Sequence, residues 1–288
     1  MFHFVLSIIQ LQEHSPIPRF GLLTNPSINI INEIKEIKRL KFDYVEIAIE
    51  GPEGNPSRLK DKQNEIIKLL SQSQFSKNRP LGHTVPWAAL GSDYERIRHA
   101  WIAEALEEIK LAKELGIALI NFHSSANGMF FADKRRRIVL DNWINSLQGI
   151  ISRIKRSDYK NNIQIMLENV PISSSGIHKL DEFKYIVDNV PGLNVHLDIP
   201  HAFTSGGMQA IINYIRTFRE KIMHIHWHDN HGIYDEHLPI GKGLIDHKVV
   251  VEELKNINYN RTITLEVFTG KQDAKDSANK LKQLWADE

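Results

Sequence analysis

The chain of 288 residues carries 36 Lys and Arg against 35 Asp and Glu, a net charge of +1, with 42% hydrophobic and 25% charged residues. This is the composition of a globular domain that can bury a sizeable core, and the bulk charge announces no nucleic-acid partner. There is no cysteine, which excludes disulfides, thiolate zinc sites and cysteine nucleophiles and fits a reducing, cytoplasmic setting.

The opening stretch MFHFVLSIIQ has no basic leader and no small-residue cleavage site, so it reads poorly as a signal peptide. It is also shorter than the roughly 20 apolar residues a bilayer span needs, and no membrane partner is expected. It reads as part of an extension over 1–18, ahead of one domain over 19–288. From there short apolar runs alternate with segments of helical period. The strand candidates are 19–25, 42–50, 79–85, 117–125, 163–169, 193–199, 222–229 and 262–268. Between them the periodicity predicts helices near 29–41, 61–76, 92–115, 135–156, 180–189, 207–220, 246–257 and 272–286. The clearest helix has Ile102, Ala105, Leu106, Ile109 and Ala112 at three- and four-residue steps, with Gly116 as a stop and Ser92 or Asp93 as cap. Eight alternating units predict an α/β fold, a single closed (β/α)8 TIM barrel. An open doubly wound sheet is the alternative, and no GxGxxG follows the first strand to favour it.

Polar residues gather at the strand ends. His83 and His123 end the third and fourth runs, and Glu168 ends the fifth. Asp198 and His201 lie in VHLDIPHAF at the end of the sixth, His226 and His228 in the seventh, and Glu266 in the eighth. Asp235 and His237 follow the seventh run. In a barrel these ends converge on one mouth. Charged groups near buried strand ends are costly unless paired or bound to metal, and imidazole and carboxylate are the donors that divalent ions accept. A metal site at the C-terminal mouth of the strands is therefore expected. In IMHIHWHDNHG, His224, His226 and His228 share one strand face, so the pattern leaves open which of them binds. His231 reads as a loop residue, and Asp229 as a group that orients a ligand histidine.

The segments 83–125, MLENV (166–170), HLDIPHAF (196–203), MHIHWHDN (223–230), DEHLPIGKGLID (235–246) and LEV (265–267) resemble endonuclease IV, within the xylose isomerase-like TIM-barrel superfamily. The resemblance implies a trinuclear zinc site and cleavage of DNA 5′ to abasic sites. It implies nine metal ligands: His83, His123, Glu168, Asp198, His201, His226, Asp235, His237 and Glu266. Glu168 would bridge two ions and hold the attacking hydroxide, which makes it the catalytic residue. Grip on abasic double-stranded DNA would come from Lys134, Arg135, Arg136 and Arg137, with Trp87 and Phe130 (and Phe131 beside it) as apolar contacts. Basic residues at a helix N-terminus oppose the helix dipole, which favours a role beyond helix stability.

Other features point elsewhere. The first strand, RFGLLTNPS, lacks the histidine- and glycine-bearing DNA-gripping stretch of the endonucleases, and the loop from His226 to Asp235 is shorter. The second strand, VEIAIE, carries Glu46 and Glu50 and looks more like the sugar isomerases and epimerases. For those enzymes Glu168, Asp198, one strand-seven histidine and Glu266 would hold one or two ions of manganese, magnesium or cobalt, with a sugar or sugar phosphate as substrate. The phosphodiesterase is the preferred reading and the isomerase or epimerase the alternative. Nothing in the sequence favours a relative without turnover.

Overall fold

A computed structural model describes residues 17–72, 75, 78–125, 133–157, 163–174 and 176–287. Most of the expected 1–18 extension thus lies outside the described residues. Eight parallel strands close into a barrel in chain order: β1 (Arg19–Leu23), β2 (Tyr44–Ile49), β3 (Leu81–Thr84), β4 (Leu119–His123), β5 (Gln164–Glu168), β6 (Asn194–Asp198), β7 (Ile222–Trp227) and β8 (Thr262–Leu265). The last strand pairs with the first. The helices that pack outside are α1 (Ile30–Arg39), α2 (Pro56–Asp61), α3 (Gln63–Leu70), α4 (Glu95–Glu114), α5 (Asp133–Arg156), α6 (Leu180–Asn189), α7 (Ile199–Phe218), α8 (His247–Asn256) and α9 (Lys271–Ala286). Among the described residues no helix is long and apolar enough to cross a membrane.

Side chains alternate along each strand. The outward set, including Val45, Ile47, Phe122, Leu167, Val195, Leu197, Ile225 and Ile263, joins the helices in the main hydrophobic core. The inward set is layered. Tyr44, Leu81, Leu119 and Met166 make a small apolar floor. Above it Glu46, Asn121, Glu168, His196, Asp198, His224, His226 and Thr264 are buried polar residues. Barrel interiors are ordinarily filled with branched apolar side chains, so this polar upper layer is what sets the molecule apart. Register holds it level, with His123 opposite Glu168, Glu168 opposite His196, and Asp198 opposite His226.

The eight expected strands and the fold class match the structure. Three local expectations are corrected. The single helix over 61–76 is two shorter ones, because Asn55 caps Ser57 and Pro56 starts a helix early. The helix expected over 207–220 is present, but it is joined across non-helical backbone at Gly206 and Gly207 to a helical segment that starts at Ile199. Asp198 Oδ1 accepts the His201 amide at 2.5 Å and Pro200 sits in the first turn, so the helix starts at the strand end and bends at Gly206 and Gly207. Neither Ser92 nor Asp93 caps α4. Tyr94 occupies the cap position without a side-chain bond, Ser92 Oγ accepts the Tyr94 amide, and Asp93 pairs with Arg135.

Tyr44 reaches across β1 to Thr264 on β8, its hydroxyl 2.9 Å from Thr264 Oγ1. This route needs Gly21, where a Cβ would lie 2.3 Å from Tyr44 Cε2. Gly21→Ala is expected to destabilise the fold by about 1–3 kcal/mol through overpacking, read as a lower urea midpoint with an unchanged m-value.

Candidate metal centre

All nine residues expected as ligands face one mouth. A cavity of about 340 Å³ is lined by His83, His123, Glu168, His201, Asp235, His237 and Glu266. Asp198 and His226 lie fully buried beneath them. The ligand atoms form overlapping groups, each within 4.8 Å: His83 with Glu168 and His226, Glu168 with Asp198 and His201, and Asp198 with His226 and Glu266. An outer group joins His228, Asp235 and His237. His201 links inner and outer sets, with Nδ1 3.7 Å from Glu168 Oε1 and Nε2 3.0 Å from Asp235 Oδ2. The choice between His226 and His228 thus resolves by position: His226 belongs to the inner set and His228 to the outer one.

The donors fit a cation. His226 Nδ1 is 3.1 Å from Glu266 Oε1, yet it is buried without a hydrogen bond. His228 Nε2 and Asp235 Oδ1 stand 3.1 Å apart, both buried and both without one. Asp198 Oδ2 and the Nδ1 atoms of His83 and His123 are also orphaned. Each such atom costs about 1–3 kcal/mol when nothing satisfies it, and a shared cation would satisfy several at once. The titration pattern agrees. Burial holds His83 at about 4 and His123 well below the ordinary histidine range, so both are neutral at pH 7 with lone pairs free. Burial lifts Glu168 well above the ordinary carboxyl range despite His226 and His201. Burial would lift Glu266 too, but His226, His237 and His83 outweigh it and hold it low.

Supporting residues fix these donors. Glu46 Oε2 lies 3.0 Å from Nε2 of both His224 and His226. Burial would lower His226, but Glu266 and Glu46 outweigh it and hold the imidazole well above the ordinary histidine range, so a cation at Nδ1 would displace a proton. Asn121 donates to Glu168 Oε2. Asn169 accepts the Asp198 amide at 2.9 Å and donates to the Asp198 carbonyl at 2.8 Å, and its own carbonyl lies 2.8 Å from His201 Nδ1. His237 adopts a left-handed backbone, φ 50°, with Nδ1 2.9 Å from the Glu266 carbonyl and its ring stacked on Phe268 at 4.0 Å. Sequence reasoning gave Asn121 and Asn169 no part. The signal for Glu46 was present, as a carboxylate within an otherwise apolar strand.

Asp229 corrects another expectation. Its backbone carbonyl lies 3.2 Å from His228 Nδ1, but its carboxylate reaches no residue of the donor groups. Its carboxylate accepts the amides of Gly241, Gly243 and Ile245 and lies 2.9 Å from His247 Nε2. It thereby folds the loop after β7, which carries Asp235 and His237, back onto α8. A Cβ at Gly243 would lie 2.4 Å from Asp229 Oδ1, so only glycine fits there.

Of the residues expected to grip DNA, Arg135, Arg136, Arg137 and Trp87 are described, and none of them lines the cavity. Arg135 pairs with Asp93 at 2.8 Å, Arg136 with Glu182, and Arg137 with Asp141 at 3.3 Å while lying over the Tyr185 ring. Acidic neighbours on the flank of α5 thus take up this charge. Trp87 is exposed and lines a separate cleft against α4. Phe130, Phe131 and the side chain of Lys134 lie outside the described residues.

A closed parallel barrel with carboxylates and imidazoles converging at its mouth defines a class of metal-site TIM barrels. The chain belongs to the xylose isomerase-like TIM barrel family, whose model matches residues 34–284. It is 29% identical to an uncharacterized protein of Methanocaldococcus jannaschii over 82% of this chain and 86% of that one. It is 26% identical to a probable endonuclease 4 of Aquifex aeolicus over 90% and 94%. Among solved structures, a D-tagatose 3-epimerase-like protein superposes with a TM-score of 0.74 at 26% identity, covering 92% of this chain and 96% of that one. A D-psicose 3-epimerase from Clostridium cellulolyticum H10 has a TM-score of 0.70 at 16% identity, over 93% and 98%, and shares the fold.

Burial alone would raise Asp229. The hydrogen bond from His247 and the amides of Gly243 and Ile245 outweigh it and hold the carboxyl below its ordinary value. A depressed carboxyl stabilises the fold above its unfolded value of about 3.9 and loses that contribution as pH falls through the lowered one. Asp229→Asn is expected to cost about 1.5–3 kcal/mol at pH 7. In denaturant titrations the gap from wild type should narrow as the pH is taken down through and below about 4.

Proposed function

We propose that this protein is a divalent-metal sugar isomerase or epimerase acting on a small polyhydroxylated carbonyl compound. One observation carries the reading: Glu168, Asp198, His226 and Glu266, from the ends of four consecutive strands, meet at the floor of a cavity of about 340 Å³. That volume suits a small molecule. The engagement of Arg135, Arg136 and Arg137 with acidic and aromatic partners and the similarity to a D-tagatose 3-epimerase-like protein support it over the reading the sequence prefers.

Glu168, Asp198, His226 and Glu266 would hold the ion. When bound, it would polarise the substrate carbonyl and the hydroxyl beside it. Isomerisation and epimerisation both move a proton to and from the carbon next to a carbonyl. Two carboxyls held apart in acidity suit that task. Glu266 would accept the proton, and Glu168, which burial makes the more basic carboxylate of the two, would return one. His83, His201 and His237 line the cavity around the substrate hydroxyls.

A second reading rests on its own observation. His201, His228, Asp235 and His237 form an outer donor group that a one-ion isomerase does not need. With the similarity to a probable endonuclease 4, this group supports a multinuclear, zinc-dependent phosphodiesterase acting on abasic DNA.

The deciding assay incubates the protein with ketopentoses and ketohexoses in D₂O, with manganese, cobalt, magnesium or zinc, and follows exchange by NMR. Deuterium should enter at the carbon beside the carbonyl. Glu168→Gln should slow exchange by about 10²–10⁴-fold while leaving the fold intact. Cleavage of an abasic duplex without any sugar exchange would overturn the proposal in favour of the second reading.

Glu46→Gln tests the support beneath the site. It is expected to weaken metal affinity by about 10–100-fold, measured by competition with a chromophoric chelator. Unchanged affinity would remove Glu46 from the site.

A further inference from the structure

A separate cleft of about 510 Å³ opens between α4, the start of α2 and the ends of β2 and β3. From α4 it receives Ile97, Trp101, Glu104 and Glu108, spaced by three or four residues on one helix face. Trp87 enters from the loop after β3, and Glu50 forms a wall shared with the metal cavity.

Glu108 is the anomaly. Only 4% of it is exposed, yet it lines the cleft and has no hydrogen bond or ion pair among the described residues. Burial, reinforced by Glu104 and Glu50, lifts it to about 8. Its oxygens are not among the buried polar atoms cut off from both solvent and partners, so the carboxyl opens into the cleft with no protein donor to hold its charge. Beside it the fold leaves large apolar groups open to solvent: Trp87 is 55% and Ile97 48% exposed. A nearly buried acid that opens into the cleft, a second acid on the next turn, Glu50 and two indoles line this space. The cleft also holds Glu50 and Asn55, but among the described residues no three of its acids bring ligand atoms within 4.8 Å of one another, as a hard divalent ion would need. A cationic donor on an apolar body satisfies the acids and covers the indoles, whose faces attract positive charge.

We propose that this cleft binds an organic cation, an ammonium or guanidinium group on an apolar body, with Glu108 and Glu104 taking the charge and Trp87 and Trp101 packing against the body. The cleft adjoins the metal cavity through Glu50, but the proposal does not depend on the reaction assigned there.

The test titrates the full chain with phenethylammonium chloride and with 2-phenylethanol, which has the same shape without the charge. Calorimetry and tryptophan fluorescence report binding. The ammonium should bind saturably at one site, about tenfold or more tighter than the alcohol. Glu108→Gln should weaken it by about tenfold or more. Glu104→Gln, on an exposed position where folding is not at stake, should weaken it several-fold, and Trp87→Phe should diminish the fluorescence change. Equal affinity for the two probes would overturn the proposal. So would unchanged binding in both glutamine variants, or displacement of the ammonium by calcium chloride at matched ionic strength.

Discussion

Glu168, Asp198 and Glu266 occupy one buried space at the mouth of the barrel, and everything around them answers that constraint. Three carboxyls cannot all ionise in a dry, confined volume without positive charge beside them. The protein supplies imidazoles, and two of them, His83 and His123, are held neutral by burial. Glu266 is held ionised and His83 and His123 keep nitrogen lone pairs free, while burial raises Glu168 and Asp198, so a cation at the mouth would relieve the confined carboxyls. The orphaned atoms of His226, His228, Asp198 and Asp235 are the same fact seen as hydrogen bonding. They crowd together at contact distance with no proton shared between them.

Holding such a site costs stability, and the surrounding structure offsets the cost in recognisable ways. Asn121 donates to Glu168, Asn169 accepts the Asp198 amide, and Glu46 accepts from His224 and His226. Asp229 gathers the amides of the loop after β7, which keeps Asp235 and His237 over the mouth. The apolar floor of Tyr44, Leu81, Leu119 and Met166 closes the barrel below, so the polar layer is confined to the end where a ligand can reach it.

The two functional readings divide the site between them. In the first reading the inner quartet would serve proton transfer on a small sugar. In the second the outer group of His201, His228, Asp235 and His237 would serve additional ions. What separates the readings is the rim. The arginines of α5 engage acidic and aromatic neighbours, and the mouth narrows to a cavity of small-molecule size. A phosphodiester backbone is held mainly by phosphate contacts from cationic and polar groups, and the rim near α5 spends its charge within the protein.

The eight strands, the barrel and the nine mouth residues were legible in the sequence. Strand alternation and strand-end position depend on local periodicity, and parallel closure then sends every strand end to one side. Asp198 illustrates the limit. As a strand-end carboxylate it was readable, yet its second part, starting α7 directly from β6, depends on a bond to the His201 amide that no periodicity reports. The division of His226 and His228 between inner and outer groups, the turn of Asp229 toward His247, and the pairing of Arg135 with Asp93 all join residues far apart in the chain. The sequence by itself determined which chemical groups reach the mouth, because strand order and alternation are local properties. Only the tertiary structure decided which of them share a ligand and which neutralise one another, because those choices follow from distances set by barrel closure.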